Sequence, residues 1–229
     1  DILLDIGEWQ EYGRQLKRRF PLNFNRNAQA IQQAEVMELL AGQITENCRI
    51  TTGVGNHQML AAQHLGTKSP KSFITSGGFG TMGFALPSAI GTYYANPETT
   101  VLAIDGDGSL LMNMGELFTI GRYGLPIKVL LLNNHGECMV RNYQKFVHNG
   151  DYVATKKITG VNFADVARNM AFQFTRRIDD RSQLRDGLHD FLRAEGPCFL
   201  EIICDPEEML YPRIPAGQGY AQMILGPYM

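Results

Sequence analysis

Hydrophobic and polar positions form a repeating pattern of short apolar runs and longer segments with helical periodicity. The apolar runs are bounded by glycine, proline or asparagine and predict buried strands over residues 49–52, 72–75, 101–104, 127–132, 171–176 and 199–204. Apolar side chains at helical spacing predict helices over residues 28–44, 58–64, 110–123, 163–170 and 182–194. A further helix is predicted around residues 85–90, and Pro87 inside it is expected to kink it. This alternation predicts an α/β fold, a doubly wound parallel sheet of about six strands with helices on both faces.

The two ends of the chain differ from this central pattern. Residues 1–27 are polar and charged, with helical spacing between Trp9 and Phe20, and are interpreted as a linker or N-terminal extension that packs on a neighbouring domain. A basic binding face is the alternative for this segment. Residues 28–205 form the predicted sheet domain, and residues 206–229 are rich in proline and glycine, which predicts an extended C-terminal arm. Because the chain begins with Asp1, we expect a fragment or a processed chain.

Composition limits the classes of partner. The 229 residues are 44% hydrophobic, enough for a sizeable core, and a formal net charge of −2 gives no reason to expect nucleic acid or a membrane surface as partner. No apolar run approaches the roughly 18 residues that a membrane span needs, and no signal-peptide pattern is present. The four cysteines show no metal-binding spacing. They indicate a reducing compartment, the cytoplasm or an organelle of a eukaryote.

The most informative unit joins two predicted strands through one crossover. The first strand ends at the acidic glycine turn 105–109, and the second ends at Asn133 and Asn134. Because ligands collect beyond the carboxyl ends of parallel strands, Asp107 and Asn134 are expected to lie side by side. A carboxylate and an amide oxygen suit Mg²⁺, which usually takes its other ligands from water and phosphate.

The glycines of this turn add a second feature. Gly106 and Gly108 would let main-chain N–H groups approach a phosphate, and the helix that begins near Ser109 offers its positive end. An ordinary Asp-Gly turn is the simplest alternative. A calcium loop is excluded because its required glycine is replaced by Leu110. The paired strand ends are more specific than either part, so we interpret this unit as a Mg²⁺-bridged diphosphate site.

Two further glycine-rich turns follow predicted strands. The first, at residues 53–58, places Asn56, His57 and Gln58 at a helix N-terminus, where an anion is favoured. The second, at residues 76–83, contains four glycines, which indicates a close approach of the backbone to a ligand or to another chain. Met82 in this loop, judged alone, is more often a core residue than a cofactor contact.

These motifs together resemble a known family. Gly106-Asp107-Gly108-Ser109 followed by Asn133-Asn134 resembles the thiamine-diphosphate (ThDP) motif. The segments 51–59, 75–83, 113–117 and 139–140, and Lys-Arg-Arg-Phe-Pro-Leu at 17–22, resemble the catalytic subunits of acetolactate synthase (acetohydroxyacid synthase). The similarity covers most of the chain and corresponds to the C-terminal, diphosphate-binding third of those enzymes.

The resemblance implies a role for individual residues. Side chains of Asp107 and Asn134 and the main-chain oxygen of Gly136 would bind Mg²⁺. The implied cofactor-binding residues are Val54, Asn56, His57, Gln58, Gly80, Met82, Gly106, Asp107, Gly108, Ser109, Asn134, Gly136, Glu137, Cys138 and Met139. The implied catalytic residues, at the cofactor and the substrate end, are Met82, Met139, Val140 and Tyr143. The arm at residues 212–220 would cover the substrate.

The resemblance also implies an activity and a missing part. A 2-oxo acid such as pyruvate would be decarboxylated and its two-carbon unit joined to a second 2-oxo acid. The glutamate that activates the aminopyrimidine lies on a separate pyrimidine-binding domain, so the isolated chain is expected to be inactive and to work as part of a homo- or hetero-oligomer. Cys138 stands where the family usually has glycine, and Tyr143 where it has tryptophan, which bears on the choice of acceptor. The alternatives are a decarboxylase or ligase with another acceptor, and a non-catalytic subunit that holds the cofactor.

Overall fold

A six-stranded parallel sheet forms the centre of the computed structural model, which describes residues 6–66, 69–156 and 160–228. The strands follow the spatial order β2-β1-β3-β4-β6-β5, and every described pair is parallel. The strands are β1 (Cys48–Thr52), β2 (Phe73–Thr75), β3 (Thr100–Gly106), β4 (Ile127–Asn133), β5 (Phe174–Ile178) and β6 (Cys198–Ile203). The predicted fold class is confirmed, because each strand coincides with a predicted apolar run to within a few residues.

The direction of the crossovers reverses between β1 and β3. The chain leaves β1 toward β2 at one edge and then returns past β1 to form β3 and the rest of the sheet. Such a reversal opens a crevice beyond the carboxyl ends of β1 and β3, the usual ligand position in open α/β sheets. The loops after β1 and β3 therefore face each other at this point.

Helices cover both faces of the sheet. The α-helices are α1 (Gly7–Arg19), α2 (Gln33–Ala41), α3 (Asn56–His64), α4 (Ala85–Ala95), α5 (Asp107–Met112), α6 (Glu116–Arg122), α7 (Cys138–Val147), α8 (Phe163–Asn169) and α9 (Leu184–Arg193). One face packs against α4, α6 and α8 in a core of fully buried side chains such as Leu86, Ile120 and Phe163. The strands of the sheet contribute Val129 and Phe199 to this core. The other face packs against α3 and α9, with α2 in contact with both.

The predicted helix over residues 110–123 is wrong, because the structure has two short helices there. α5 ends at Met112, and α6 begins at Glu116. The backbone of Asn113 leaves the helical path, and its side chain donates a hydrogen bond to the main-chain oxygen of Gly83 over 2.9 Å. A contact to a loop 30 residues away therefore overrides the local helical periodicity.

The predicted helix over residues 28–44 is also too long, since α2 spans only Gln33–Ala41. Residues 28–32 are not helical, and the two just before α2 bind the segment after β6. Asp205 donates its main-chain N–H to Ile31 O over 2.8 Å, and its carboxylate accepts from Gln32 Nε2 over 2.8 Å. These contacts place the start of α2 beside the carboxyl end of the sheet.

Pro87 does not lie in the interior of its helix. α4 begins at Ala85, so Pro87 occupies the first turn, where the main-chain N–H has no partner within the helix. Because of this position in the first turn, Pro87 gives no reason to expect a kink in α4.

The chain divides by internal contacts into two compact units. Residues 26–210 form the sheet unit, and the second unit combines the residues up to 25 with those from 211 onward. This division follows contacts alone, and the predicted bounds 1–27, 28–205 and 206–229 stay a prediction. In the described part of the second unit, α1 has no buried residue, and Arg213 pairs with Ile224 in a short antiparallel bridge. No helix in the described ranges is long and apolar enough to cross a membrane.

Candidate cofactor-binding site

A cleft lies at the carboxyl ends of β1, β3 and β4, where the crossovers reverse. It encloses about 500 Å³, counting the space that is open to solvent. Its lining consists of Val54, Gly55, Asn56, His57, Met82, Gly106, Asp107, Gly108, Ser109, Leu132, Asn134, Gly136, Glu137, Cys138, Met139 and Val140. Three glycine-containing loops and the N-termini of α3, α5 and α7 therefore converge on one volume.

Ser109 ties the walls of the cleft together. Its Oγ accepts a hydrogen bond from Gly83 N over 2.9 Å and one from Val54 N over 3.4 Å. These donors belong to the two other glycine-rich loops. Gly53 must be glycine at this junction, because a Cβ there would lie 1.9 Å from Asp105 Oδ1 and 2.3 Å from Ser109 Oγ. The close approach of backbone to side chain thus fixes the shape of the wall.

His57 is buried in the wall and neutral. Burial lowers its pKa to about 3, while a hydrogen bond to the main chain of Gly53 acts in the opposite direction. Its Nε2 has no hydrogen-bond partner and lies 3.5 Å from Asp105 Oδ1. Burial also raises the pKa of Asp105 to about 7, so the two side chains do not form a strong ion pair at neutral pH.

Asn56 supplies a second polar group without a partner. Its Oδ1 lies 3.5 Å from Asn142 Nδ2, whereas its buried Nδ2 has no acceptor. Buried donors are nearly always satisfied in proteins, by the protein itself or by a bound molecule. The unpartnered Nδ2 of Asn56 therefore fits a ligand with acceptor oxygens.

Three oxygen-bearing groups meet at the ends of β3 and β4. One atom of the Asn134 amide lies 3.2 Å from Asp107 Oδ1 and 3.1 Å from the main-chain oxygen of Gly136. Oxygens bound to one octahedral Mg²⁺ lie about 3 Å apart, because each metal–oxygen bond is about 2.1 Å long. When this amide atom is the oxygen, the three groups have the spacing and chemistry of a Mg²⁺ site. The described residues contain no cluster of three His, Cys, Asp or Glu that could bind a metal.

Asn133 stabilises the turn between β4 and α7 through two hydrogen bonds. It is fully buried; its Nδ2 donates to Glu201 Oε1 over 2.8 Å, and its Oδ1 accepts from His135 N over 3.0 Å. His135 has a positive φ of 56°, a conformation that a non-glycine residue adopts only when its surroundings impose it. The Asn133 bond thus helps to direct Asn134 and the Gly136 carbonyl into the cleft.

Most of the predicted site residues meet in this cleft. Fourteen of them appear in the lining given above. Gln58, Gly80 and Tyr143 are outside it: Gln58 Nε2 donates to Thr75 Oγ1 over 2.8 Å, Gly80 lies near Val54, and Tyr143 makes an edge contact with His148.

The sequence interpretation missed several residues of the site. Gly55 and Leu132 line the cleft, while Asp105 and Asn133 support it. Gly55 and Asp105 belong to the recognised turns and could have been found there. Cys138 does line the cleft, and burial raises the pKa of its thiol to about 12, so it stays protonated.

Comparison with known proteins agrees with this geometry. The family model described as "Thiamine pyrophosphate enzyme, C-terminal TPP binding domain" matches residues 53–202, which span the sheet from the first glycine turn to β6. Thiamine pyrophosphate (TPP) is the same compound as ThDP. The chain belongs to this family. The TPP-binding domain thus includes the cleft, and the predicted resemblance is confirmed.

Acetolactate synthases are among the curated proteins that the chain resembles. The chain is 35% identical to the Escherichia coli isozyme 2 large subunit over 217 residues, which is 95% of this chain and 39% of the relative. It is 36% identical to the chloroplastic enzyme of Arabidopsis thaliana over 98% of this chain and 34% of the relative. The mitochondrial enzyme of Schizosaccharomyces pombe is 37% identical over 95% of this chain and 33% of its own length. The chain thus spans little more than a third of the relatives that it matches.

Proposed function

We propose that this TPP-binding domain is the diphosphate- and Mg²⁺-binding part of an acetolactate synthase-type carboligase. The proposed reaction decarboxylates a 2-oxo acid such as pyruvate and joins the remaining two-carbon unit to a second 2-oxo acid, a step of branched-chain amino acid synthesis. The support is the similarity to acetolactate synthases together with the cleft geometry. We further propose a cytoplasmic protein, or an organellar one in a eukaryote, without nucleic acid or membrane partners.

The observation that carries the proposal is the meeting of three oxygen-bearing groups at the ends of β3 and β4. Asp107, Asn134 and the main chain of Gly136 offer a hard, oxygen-only ligand set, which suits Mg²⁺ and leaves further positions for phosphate oxygens. A Mg²⁺ ion bound there would place its remaining positions toward the cleft. The net negative charge of a diphosphate would then be balanced by the metal.

The diphosphate itself would lie against the glycine turn and the polar groups of the wall. A Cβ on Gly106 would lie 2.7 Å from His57 Nδ1, so only glycine lets the turn and the imidazole pack this closely. The Nδ2 of Asn56 is available to donate a hydrogen bond to a phosphate oxygen, whereas the single N–H of neutral His57 is engaged by the main chain of Gly53. Bound ThDP supplies the carbon nucleophile and the electron sink for decarboxylation.

The first turns of α7 form the substrate end of the cleft in this proposal. Met139 and Val140 lie in the lining, where their apolar side chains would exclude water from the reacting carbonyl. Arg141 is engaged in an ion pair with Glu207 and lies over the ring of Tyr152, 3.9 Å from its centroid. Its charge is thus balanced by Glu207, and Arg141 is not part of the cleft lining.

A second domain is required for catalysis in this proposal. No segment resembles the pyrimidine-binding domain, so the activating glutamate would come from another chain or another region of the same protein. The test is to assay the chain with pyruvate, ThDP and Mg²⁺, alone and together with a pyrimidine-binding domain. We expect acetolactate only in the combined sample, and turnover by the chain alone would refute the need for a partner.

Product analysis distinguishes the proposed reaction from its alternatives. Acetaldehyde as the sole product from pyruvate would indicate a decarboxylase. A product that forms only when an aldehyde is added would indicate a ligase with another acceptor. Mg²⁺-dependent ThDP binding without turnover in any combination would indicate a non-catalytic subunit that holds the cofactor.

A further inference from the structure

The amide of Asn134 can satisfy its surroundings in two ways. With its nitrogen toward Asp107, it donates to Asp107 Oδ1 over 3.2 Å and to Gly136 O over 3.1 Å, while its oxygen accepts from Gln33 Nε2 over 2.8 Å. With its oxygen toward Asp107, the amide presents a metal ligand, and its nitrogen then faces Gln33. Only the second orientation can bind Mg²⁺, since an amide NH₂ group has no free lone pair for a metal.

Gln33 is placed to determine which orientation is present. It is the first residue of α2, 1% exposed, and its Oε1 is buried without a hydrogen-bond partner. Its main-chain N–H donates to Glu208 Oε2 over 2.6 Å, and Ala34 N donates to Glu208 Oε1 over 3.0 Å. The backbone is thereby fixed beside Asn134, while the amide at the end of the side chain can turn over.

We propose that Gln33 is a positioning residue that orients the Asn134 amide for metal binding. When the Gln33 amide turns so that Oε1 faces Asn134, it accepts from Asn134 Nδ2 and directs the Asn134 oxygen toward Asp107 and Gly136. In the other state both amides are reversed, and the Asn134 nitrogen bridges Asp107 and Gly136 without a metal. Glutamine suits both states because its amide is a donor at one end and an acceptor at the other.

This inference rests on the proposed Mg²⁺ and ThDP binding and adds a residue that lies 101 positions before Asn134, outside the matched range 53–202. Groups that hydrogen-bond a metal ligand fix its orientation, and their loss typically lowers metal affinity about 10–100-fold. Gln33→Met keeps the length and apolar stem of the side chain but can neither donate nor accept strongly. The Mg²⁺ concentration at half-maximal ThDP binding should therefore rise at least about tenfold in Gln33→Met.

Gln32→Met is the matched control. Gln32 is the neighbouring glutamine, also buried at 3% exposure, but it binds Asp205 and Ala30 rather than Asn134. Both variants are titrated with Mg²⁺ at fixed ThDP by calorimetry, and their melting temperatures are measured without metal. We expect the Mg²⁺ midpoint of Gln32→Met to stay within about threefold of the unsubstituted chain.

A second background separates orientation from packing. Asn134→Asp has an oxygen on both sides, so it needs no orienting partner. Gln33→Met should then change the Mg²⁺ midpoint less than about threefold in the Asn134→Asp background, whereas a packing role would give the same change in both backgrounds. If Gln33→Met does not fold, Gln33→Asn, one methylene too short to reach Asn134, replaces it with the same expectation.

The outcomes distinguish this inference from the function on which it rests. Equal Mg²⁺ midpoints for Gln33→Met and Gln32→Met, or equal effects of Gln33→Met in both backgrounds, would overturn the positioning role and leave the cofactor site intact. An unsubstituted chain whose ThDP binding does not depend on Mg²⁺ would overturn both.

Discussion

Ser109→Ala tests how the cleft is held together. Ser109 Oγ accepts from the buried N–H of Gly83 over 2.9 Å, and a hydrogen bond from Ser109 lowers the pKa of Asp105 against the effect of burial. Alanine leaves the Gly83 donor and an Asp105 oxygen without these partners. Each unsatisfied buried group lowers the free energy of unfolding by about 1–3 kcal/mol. Because water reaches one side of the cleft, we expect Ser109→Ala to lower the free energy of unfolding by about 2 kcal/mol in total.

The assay compares chemical denaturation of Ser109→Ala and Ser88→Ala. Ser88 Oγ donates to the main-chain oxygens of Phe84 and Ala85 within α4, where alanine leaves the helix intact. Ser88→Ala should therefore change the free energy of unfolding by less than about 0.5 kcal/mol. For a domain of this size, a loss of 2 kcal/mol lowers the melting temperature by about 4–8 °C.

The same substitution should weaken ThDP binding, because the two loops joined by Ser109 form walls of the cleft. We expect a dissociation constant for ThDP at saturating Mg²⁺ at least about tenfold higher in Ser109→Ala than in Ser88→Ala, which is about 1.4 kcal/mol. Unfolding free energies that agree to within about 0.5 kcal/mol, with equal ThDP affinities, would refute the bridging role of Ser109.

Two further predictions concern buried groups behind the cleft. Asn133→Ala removes the donor to Glu201, so we expect a loss of about 2–4 kcal/mol in urea denaturation, and a loss below about 1 kcal/mol would contradict the supporting role. Burial raises the pKa of Glu208 to about 7, well above the 4.5 that is usual for a glutamate. The folded state therefore binds more protons than the unfolded state between these values, and this contribution to stability is present below about pH 4.5 and is lost as the pH rises through 7. Asp105, whose pKa is also raised to about 7, adds a slope of the same sign. Glu208→Gln should therefore reduce, without abolishing, the slope of unfolding curves recorded between pH 5 and 8, and an unchanged slope would contradict the assignment.

The strands and the cofactor turns could be predicted from the sequence because their signals are local. Apolar runs that end in glycine mark β1 and β3, and the acidic turn with Asp107 and the asparagine pair follow adjacent strands. The parallel sheet then brings these strand ends together without any further information.

The remaining features depend on contacts between residues far apart in the chain. Asn113 ends α5 because it binds Gly83, and nothing in the residues around Asn113 indicates this. In the sequence, Gln33 is one more polar residue at the start of a predicted helix. Only the fold shows that its side chain lies beside Asn134. Asn133 belongs to a recognised pair, but its partner Glu201 is on β6, and only the sheet order reveals the bond.

The most direct measurement of the central claim locates the metal itself. Crystals of the protein, assembled with its pyrimidine-binding domain and grown with ThDP and Mn²⁺ in place of Mg²⁺, give an anomalous difference map of the metal. We predict one strong peak within about 2–2.5 Å of Asp107 Oδ1, the Asn134 side-chain oxygen and the Gly136 main-chain oxygen. Bound ThDP without a peak at these three oxygens would contradict the account.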